Sequence, residues 1–128
     1  MITLPRAVVW ACAIFLAVAF VFAGFLKLEG ASAIRWNERF VHWAYPANAH
    51  YVVGVLEILG DLGVLIPKWR RAAAATLVAL MIGALGTHAV NAEFPRLIPP
   101  PVLGGLAFLM YAARPRPGRE QTNSGIRV

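Results

Sequence analysis

Four long apolar stretches divide the chain, and their spacing predicts four helices that cross a bilayer. Ala7 to Leu26 is an apolar run of 20 residues, enough to traverse a hydrocarbon core of ~30 Å as a helix. A secretory signal is the competing reading, with Arg6 as its basic region and Ala31-Ser32-Ala33 as its cleavage site. The apolar region of a signal is only about 7–15 residues long, so residues 7–26 are read as a span. The second span is predicted at 46–66. Pro46 suits a first helical turn, and Pro67 stops the helix. The third, 72–90, is apolar except for Thr76, Thr87 and His88. The fourth, 97–113, opens on Pro99-Pro100-Pro101. Only one of those prolines suits the first helical position, which shortens this helix to about 13–15 residues.

Between the first two spans the pattern changes. Trp36, Phe40 and Trp43 recur at steps of four and three, with Ala33 one turn before, while Arg35, Glu38, Arg39 and His42 take the other side. This is the signature of a short amphipathic helix in the membrane interface, anchored by its aromatic residues. It is either a plain anchor or a lid over the bundle. The predicted fold is therefore an all-α integral membrane four-helix bundle over residues 1–113, with one interfacial helix between the first two spans. Residues 114–128, with Pro115, Pro117, Gly118, Gly125 and four arginines, are read as a basic disordered cytoplasmic tail near anionic lipid.

Composition supports this reading. Of 128 residues, 59% are hydrophobic and 14% charged, more apolar surface than one small soluble core can bury. The lone Cys12 excludes a disulfide scaffold and a thiol–disulfide relay. The net charge of +6 does not indicate nucleic acid, because the basic residues sit in short loops and a tail. They orient the protein instead. Arg6, Lys68, Arg70, Arg71, Arg114, Arg116, Arg119 and Arg127 fall on one side; Lys27, Arg35, Arg39 and Arg96 fall on the other. That bias predicts a plasma-membrane protein with both termini in the cytoplasm. Small-residue spacings, including Ala19/Ala23, Ala79/Gly83/Thr87, Gly60/Gly63 and Gly104-Gly105, favour tight helix packing. Glycine-rich faces also admit a homodimer.

The chemistry concentrates on the second span. His50, Gly54, Glu57 and Asp61 are spaced 4, 3 and 4, within an arc of roughly 60°. Charges at this depth are costly in lipid, so the face must point into the bundle, with Gly54 leaving open space beside Glu57. Equal counts outward from the Lys68 loop place His50 and His88 at the same depth, about 24 Å up, with Glu57 about 14 Å and Asp61 about 8 Å up. His88 is the predicted partner from the third span, and Lys27 closes the cluster from above. Several readings stay open. The cluster could be a hydrogen-bond network that fixes helix register. It could be a site for a quinone or similar ligand, whose carbonyls accept hydrogen bonds and whose reduction takes up protons. It could be a metal or haem centre on His50, His88 and a carboxylate, although no motif such as His-x-x-x-His is present. A proton or ion path is the last.

The stretch Phe22-Ala23-Gly24-Phe25-Leu26-Lys27-Leu28 resembles the "aG-x-x-K-l" signature of DoxX-like membrane proteins. Gly54-Val55-Leu56-Glu57-Ile58-Leu59-Gly60 resembles their "G-x-x-E-x-x-G" element, and the Ala-rich third span ending in His88 fits the same pattern. The likeness covers roughly residues 7–113. It implies a compact four-helix membrane fold with Lys27, Glu57 and His88 as shared polar positions. The family takes its name from a subunit of a thiosulfate:quinone oxidoreductase; some relatives support redox chemistry with soluble partners, and distant ones act as assembly chaperones. Two functions follow. In one, Lys27, Glu57 and His88 bind a quinone-like ligand in support of a membrane oxidoreductase, with a soluble or membrane redox partner, and His50 and Asp61 relay protons. In the other, the bundle is a non-catalytic scaffold or chaperone and the polar cluster is structural.

Overall fold

The computed structural model describes residues 2–118 and is helical apart from two three-residue strands. In chain order the elements are β1 (Ile2–Leu4), α1 (Arg6–Leu28), α2 (Gly30–His42), α3 (Ala49–Leu65), α4 (Arg70–Val90), a 3₁₀ turn (Phe94–Leu97), α5 (Pro99–Ala112) and β2 (Ala113–Pro115). α1 packs on α3, α3 on α4, α4 on α5 and α5 back on α1, so four helices close a ring. α2 lies against α1 and α3. We call the end that carries β1 and β2 the terminal end, and the opposite one the far end.

α1, with 23 residues, and α4, with 21, are long and apolar enough to cross a membrane. α3 has 17 residues and α5 has 14, roughly 25 and 21 Å of helix at 1.5 Å per residue. The outward faces of all four are apolar: Val18 and Phe22 on α1, Leu59 on α3, Ile82 on α4 and Phe108 on α5 are all exposed. Such a surface suits hydrocarbon rather than water.

Several boundaries differ from the sequence reading, three of them with a visible local cause. α3 begins at Ala49, not Pro46. Asn48 takes the left-handed conformation at φ 67°, and its N–H is held by Asn37 Oδ1 at 2.8 Å, which breaks the helical path ahead of α3. α5 begins at Pro99, because residues 94–97 wind into the 3₁₀ turn instead. The start of the predicted disordered tail is ordered: Ala113–Pro115 pairs in parallel with Ile2–Leu4, and the Arg116 N–H donates to the Leu4 carbonyl at 3.0 Å. The remainder of that tail, 119–128, lies outside the described residues.

α2 and α4 end the same way. After α2, the Tyr45 N–H donates to Phe40 O and the Ala44 N–H to Val41 O. After α4, the Glu93 N–H donates to His88 O and the Ala92 N–H to Ala89 O. These are paired Schellman closures. Each places an alanine in left-handed conformation (φ 65° at Ala44, 54° at Ala92) where glycine usually sits. The turns fold Tyr45 and Glu93 back over the helix ends.

Packing is uneven along the bundle. Val9, Ala13, Leu16 and Phe20 of α1 meet Val64 of α3, Ala74 and Leu77 of α4, and Ala107 and Met110 of α5 in one buried cluster. All these residues lie on the terminal side of Gly24 and Gly54. Glycines set the closest approaches. A Cβ on Gly24 would lie 2.8 Å from the Gly54 carbonyl oxygen, and one on Gly54 would lie 3.0 Å from that of Gly24. Gly60 and Gly63 admit Leu77 and Ala73 of α4, and Gly104 admits Met81. Gly83 does not serve the packing stripe expected of it. A Cβ there would meet nothing within 4 Å, and with Ala79 and Thr87 it borders a cavity.

Gly24→Ala is expected to lower stability by about 1–3 kcal/mol, the usual cost of forcing atoms into a filled site. Gly105→Ala, with open space at its Cβ, is expected to be neutral or stabilising. Denaturation midpoints in detergent micelles distinguish the two; equal losses would contradict the close α1–α3 crossing.

Candidate functional site

The far half of the ring encloses a cavity of about 590 Å³ with a mostly apolar lining. Its walls come from α3, α4 and the start of α5, and α2 covers it with Trp36, Arg39 and Phe40. The amphipathic residues Trp36, Phe40 and Trp43 thus turn inward and form one aromatic layer. Trp36 and Trp43 meet edge to face with centroids 6.5 Å apart, and Phe40 lies 5.5 Å from Trp43 and 5.4 Å from Tyr45.

Lys27 and Glu57 form the polar wall. The Lys27 ammonium donates to both carboxylate oxygens of Glu57, at 2.9 and 3.1 Å, and to the Ala23 carbonyl at 3.3 Å. It also lies 4.4 Å from the centroid of the Trp36 ring, a cation–π contact that ties α2 to the pair. Both residues are buried, 6% and 4% exposed. Gly54 does not leave open space beside Glu57 as its position suggested. A Cβ there would lie 3.1 Å from the Lys27 Cβ, so the Lys27 stem occupies that space and delivers the ammonium to the carboxylate.

His88 is placed differently from the sequence expectation. It borders the same cavity as Glu57, but its hydrogen-bond partner is not on α3. Its Nδ1–H donates to Glu93 Oε2 at 2.6 Å, and Glu93 Oε1 accepts from Arg96 at 3.1 Å. The ring stands edge-on to Trp43, with centroids 5.3 Å apart. Nearby, Thr87 donates its hydroxyl proton to the Gly83 carbonyl at 2.8 Å and so accepts from the Tyr45 hydroxyl at 2.6 Å. These contacts clamp the α2–α3 connection to the far end of α4.

His50 and Asp61 share the buried face of α3 with Glu57 but do not border the cavity. His50 is 1% exposed and Asp61 wholly buried, and no side-chain polar atom of either has a hydrogen-bond partner among the described residues. The His50 ring packs against Tyr51 and Phe40, with centroids 4.0 and 6.2 Å away. His50 and His88 therefore touch the same aromatic layer at different rings, Phe40 and Trp43. Among the described residues no three His, Cys, Asp or Glu side chains converge as a ligand set, so the weighed centre on His50, His88 and a carboxylate is not assembled. Sequence reasoning missed Glu93, Arg96, Arg39 and Tyr45. Glu93 alone carried a signal, as the only acid in the α4–α5 connection.

Burial alone would raise the Glu93 carboxyl. The hydrogen bond from His88 and the charge of Arg96 outweigh it and hold the group below its ordinary value of 4.5. Because the folded value is depressed, the stabilisation is complete above the ordinary glutamate range. It is lost as pH falls through the lowered folded value. The thermal midpoint should fall over that acid range, and Glu93→Gln should flatten the fall; an unchanged profile would contradict the His88–Glu93 contact.

The sequence profile of the DoxX-like family matches residues 4–110, a stretch that includes Lys27, Glu57 and His88. No curated protein and no solved structure matches the chain.

Proposed function

The chain belongs to the DoxX-like family, and from that membership we propose that it is a four-span membrane subunit that binds a quinone or similar small ligand and serves a membrane oxidoreductase. In this reading α1, α3, α4 and α5 all cross the plasma membrane. The basic cluster of Arg6, Lys68, Arg70, Arg71, Arg114 and Arg116 holds the terminal end in the cytoplasm. The helices shorter than ~30 Å match a locally thinned bilayer or are extended by their flanking turns.

One observation carries the reading: the far-end cavity, within the ~300–1,000 Å³ range of small-molecule sites, has a buried ion pair on its wall and an imidazole on its border. An apolar lining accepts a quinone ring and its tail. Lys27 donates to one carbonyl by exchanging one of its three present acceptors, and His88, oriented by Glu93, stands at the same cavity. Reduction to the quinol takes two electrons and two protons. A redox partner supplies the electrons. Glu57 and His88 pass protons, with His50 and Asp61 behind them on α3.

A second reading, a non-catalytic scaffold or assembly factor, is favoured by the mutual satisfaction of Lys27 and Glu57, which leaves no charge unpaired, as structural glue requires. The two readings separate on paired variants. Lys27→Met alone strands a buried carboxylate and is expected to cost roughly 3–5 kcal/mol. Lys27→Met with Glu57→Met removes both charges and is expected to restore the fold. If the site reading holds, wild-type protein in mild detergent carries near-stoichiometric quinone by mass spectrometry of extracted lipids. The folded double variant and Glu57→Gln then carry none. A folded double variant that keeps full cellular activity would overturn the site reading in favour of the scaffold.

A further inference from the structure

The terminal end holds a second, smaller cavity of about 250 Å³, lined by Arg6, Val9, Trp10, Pro67, Arg70 and Pro115. It shares no lining residue with the far-end cavity. Its central feature is Arg70, which is 7% exposed. The Nε–H of Arg70 donates to the Val64 carbonyl at 2.8 Å, and the guanidinium lies over the Trp10 ring, 4.9 Å from its centroid. Those two contacts fix the plane of the fork. Buried Nη2 has no hydrogen-bond partner, and no carboxylate lies within ion-pair distance among the described residues. An arginine carries five N–H donors, and burying an unpaired charge is among the costliest placements in a fold. Among the described residues this cation has no counter-anion.

The surroundings select for the same charge. Arg6 and Arg70 are the first residues of α1 and α4, and neither helix has a side-chain cap or an acidic residue in its first turn. Two sets of free N–H groups, with the positive ends of two long helix dipoles, therefore adjoin one cavity. Lys68, Arg71, Arg114 and Arg116 stand exposed in the adjoining segments. Depth points to the source of the anion. α1 and α4 are the two helices apt to cross a membrane, and the cavity lies at their common starting level. Exposed Trp10 and Trp69 sit at that level too, as aromatic residues do at a membrane interface.

We propose that this cavity binds the phosphate of an anionic phospholipid head group, paired with the Arg70 guanidinium and with Arg6. A guanidinium held in place beside a cavity offers charge and directed N–H donors to phosphate oxygens. A soluble phosphate offers the same oxygens without acyl chains, so the test separates the two.

The full chain in detergent micelles is incubated with equimolar phosphatidylglycerol and phosphatidylcholine, and bound lipid is counted by native mass spectrometry. Wild-type protein should retain phosphatidylglycerol preferentially. Arg6→Gln and Arg70→Gln should each cut that preference about fivefold or more, the worth of one basic residue at an anionic surface. Arg35→Gln, at the opposite end, should leave it unchanged, and added inorganic phosphate should not displace the lipid. Arg6 is exposed, so Arg6→Gln keeps the test decisive even if Arg70→Gln fails to fold. An unaltered preference in Arg6→Gln, or none in wild type, would overturn the site. Displacement of the lipid by inorganic phosphate, in an Arg70-dependent way, would overturn the lipid assignment in favour of a soluble anion.

Discussion

The far end of this bundle depends on one close approach, that of the α1 and α3 backbones at Gly24 and Gly54. With no Cβ on either residue, each carbonyl oxygen sits where a side chain would otherwise be. Helices in lipid gain nothing from burying apolar surface against each other, so contact at this range is what holds them. The approach also brings Lys27, three residues past Gly24, within reach of Glu57, three residues past Gly54. Charge and packing reinforce one another here. The pair tolerates burial because each charge meets its counter-charge there, and the crossing is fixed in register because the pair has one geometry.

From that crossing the bundle divides into a filled half and a hollow half. Toward the terminal end, Phe20, Leu16, Leu77 and Met110 interlock. Toward the far end α4 carries Ala79, Gly83 and Thr87 on its cavity side, and α5 starts only at Pro99, so no large side chain fills the middle. The lid compensates at the rim, where three aromatic residues of the α2 region, with Tyr45, His88 and Arg96, border the cavity and narrow its opening. The closure rests on two alanines held in left-handed conformation, a placement that costs roughly 1–2 kcal/mol each relative to ordinary backbone and that the hydrogen-bonded turns around them sustain.

The sequence made α1 and α4 legible because a long apolar run has few alternatives, and it made the buried face of α3 legible because the 4-3-4 spacing of His50, Gly54, Glu57 and Asp61 is helical. Lys27 was legible only as a cap above the cluster; its direct pairing with Glu57 is set by the α1–α3 crossing. Other features left no such trace. A three-residue strand such as Ile2–Leu4 is too short for alternation to register, so the β1–β2 pairing was invisible. The partner of His88 was sought across the bundle, while the chain supplied Glu93 from the next turn. That turn was hidden because Ala92 stands where glycine would have announced it. The space beside Gly54 depends on how far the Lys27 stem reaches, which no pattern along one helix encodes.

The Lys27 ammonium touches three separate elements: α1 through Ala23, α3 through Glu57 and α2 through Trp36. Its hold on the lid and its hold on the carboxylate are therefore thermodynamically linked, and linkage runs both ways with equal magnitude. Whatever draws Lys27 toward the cavity loosens Trp36 and, with it, the aromatic layer. Whatever lifts α2 returns the full ammonium charge to Glu57. A single side chain thus makes the state of the cover and the electrostatics of the chamber beneath it one variable.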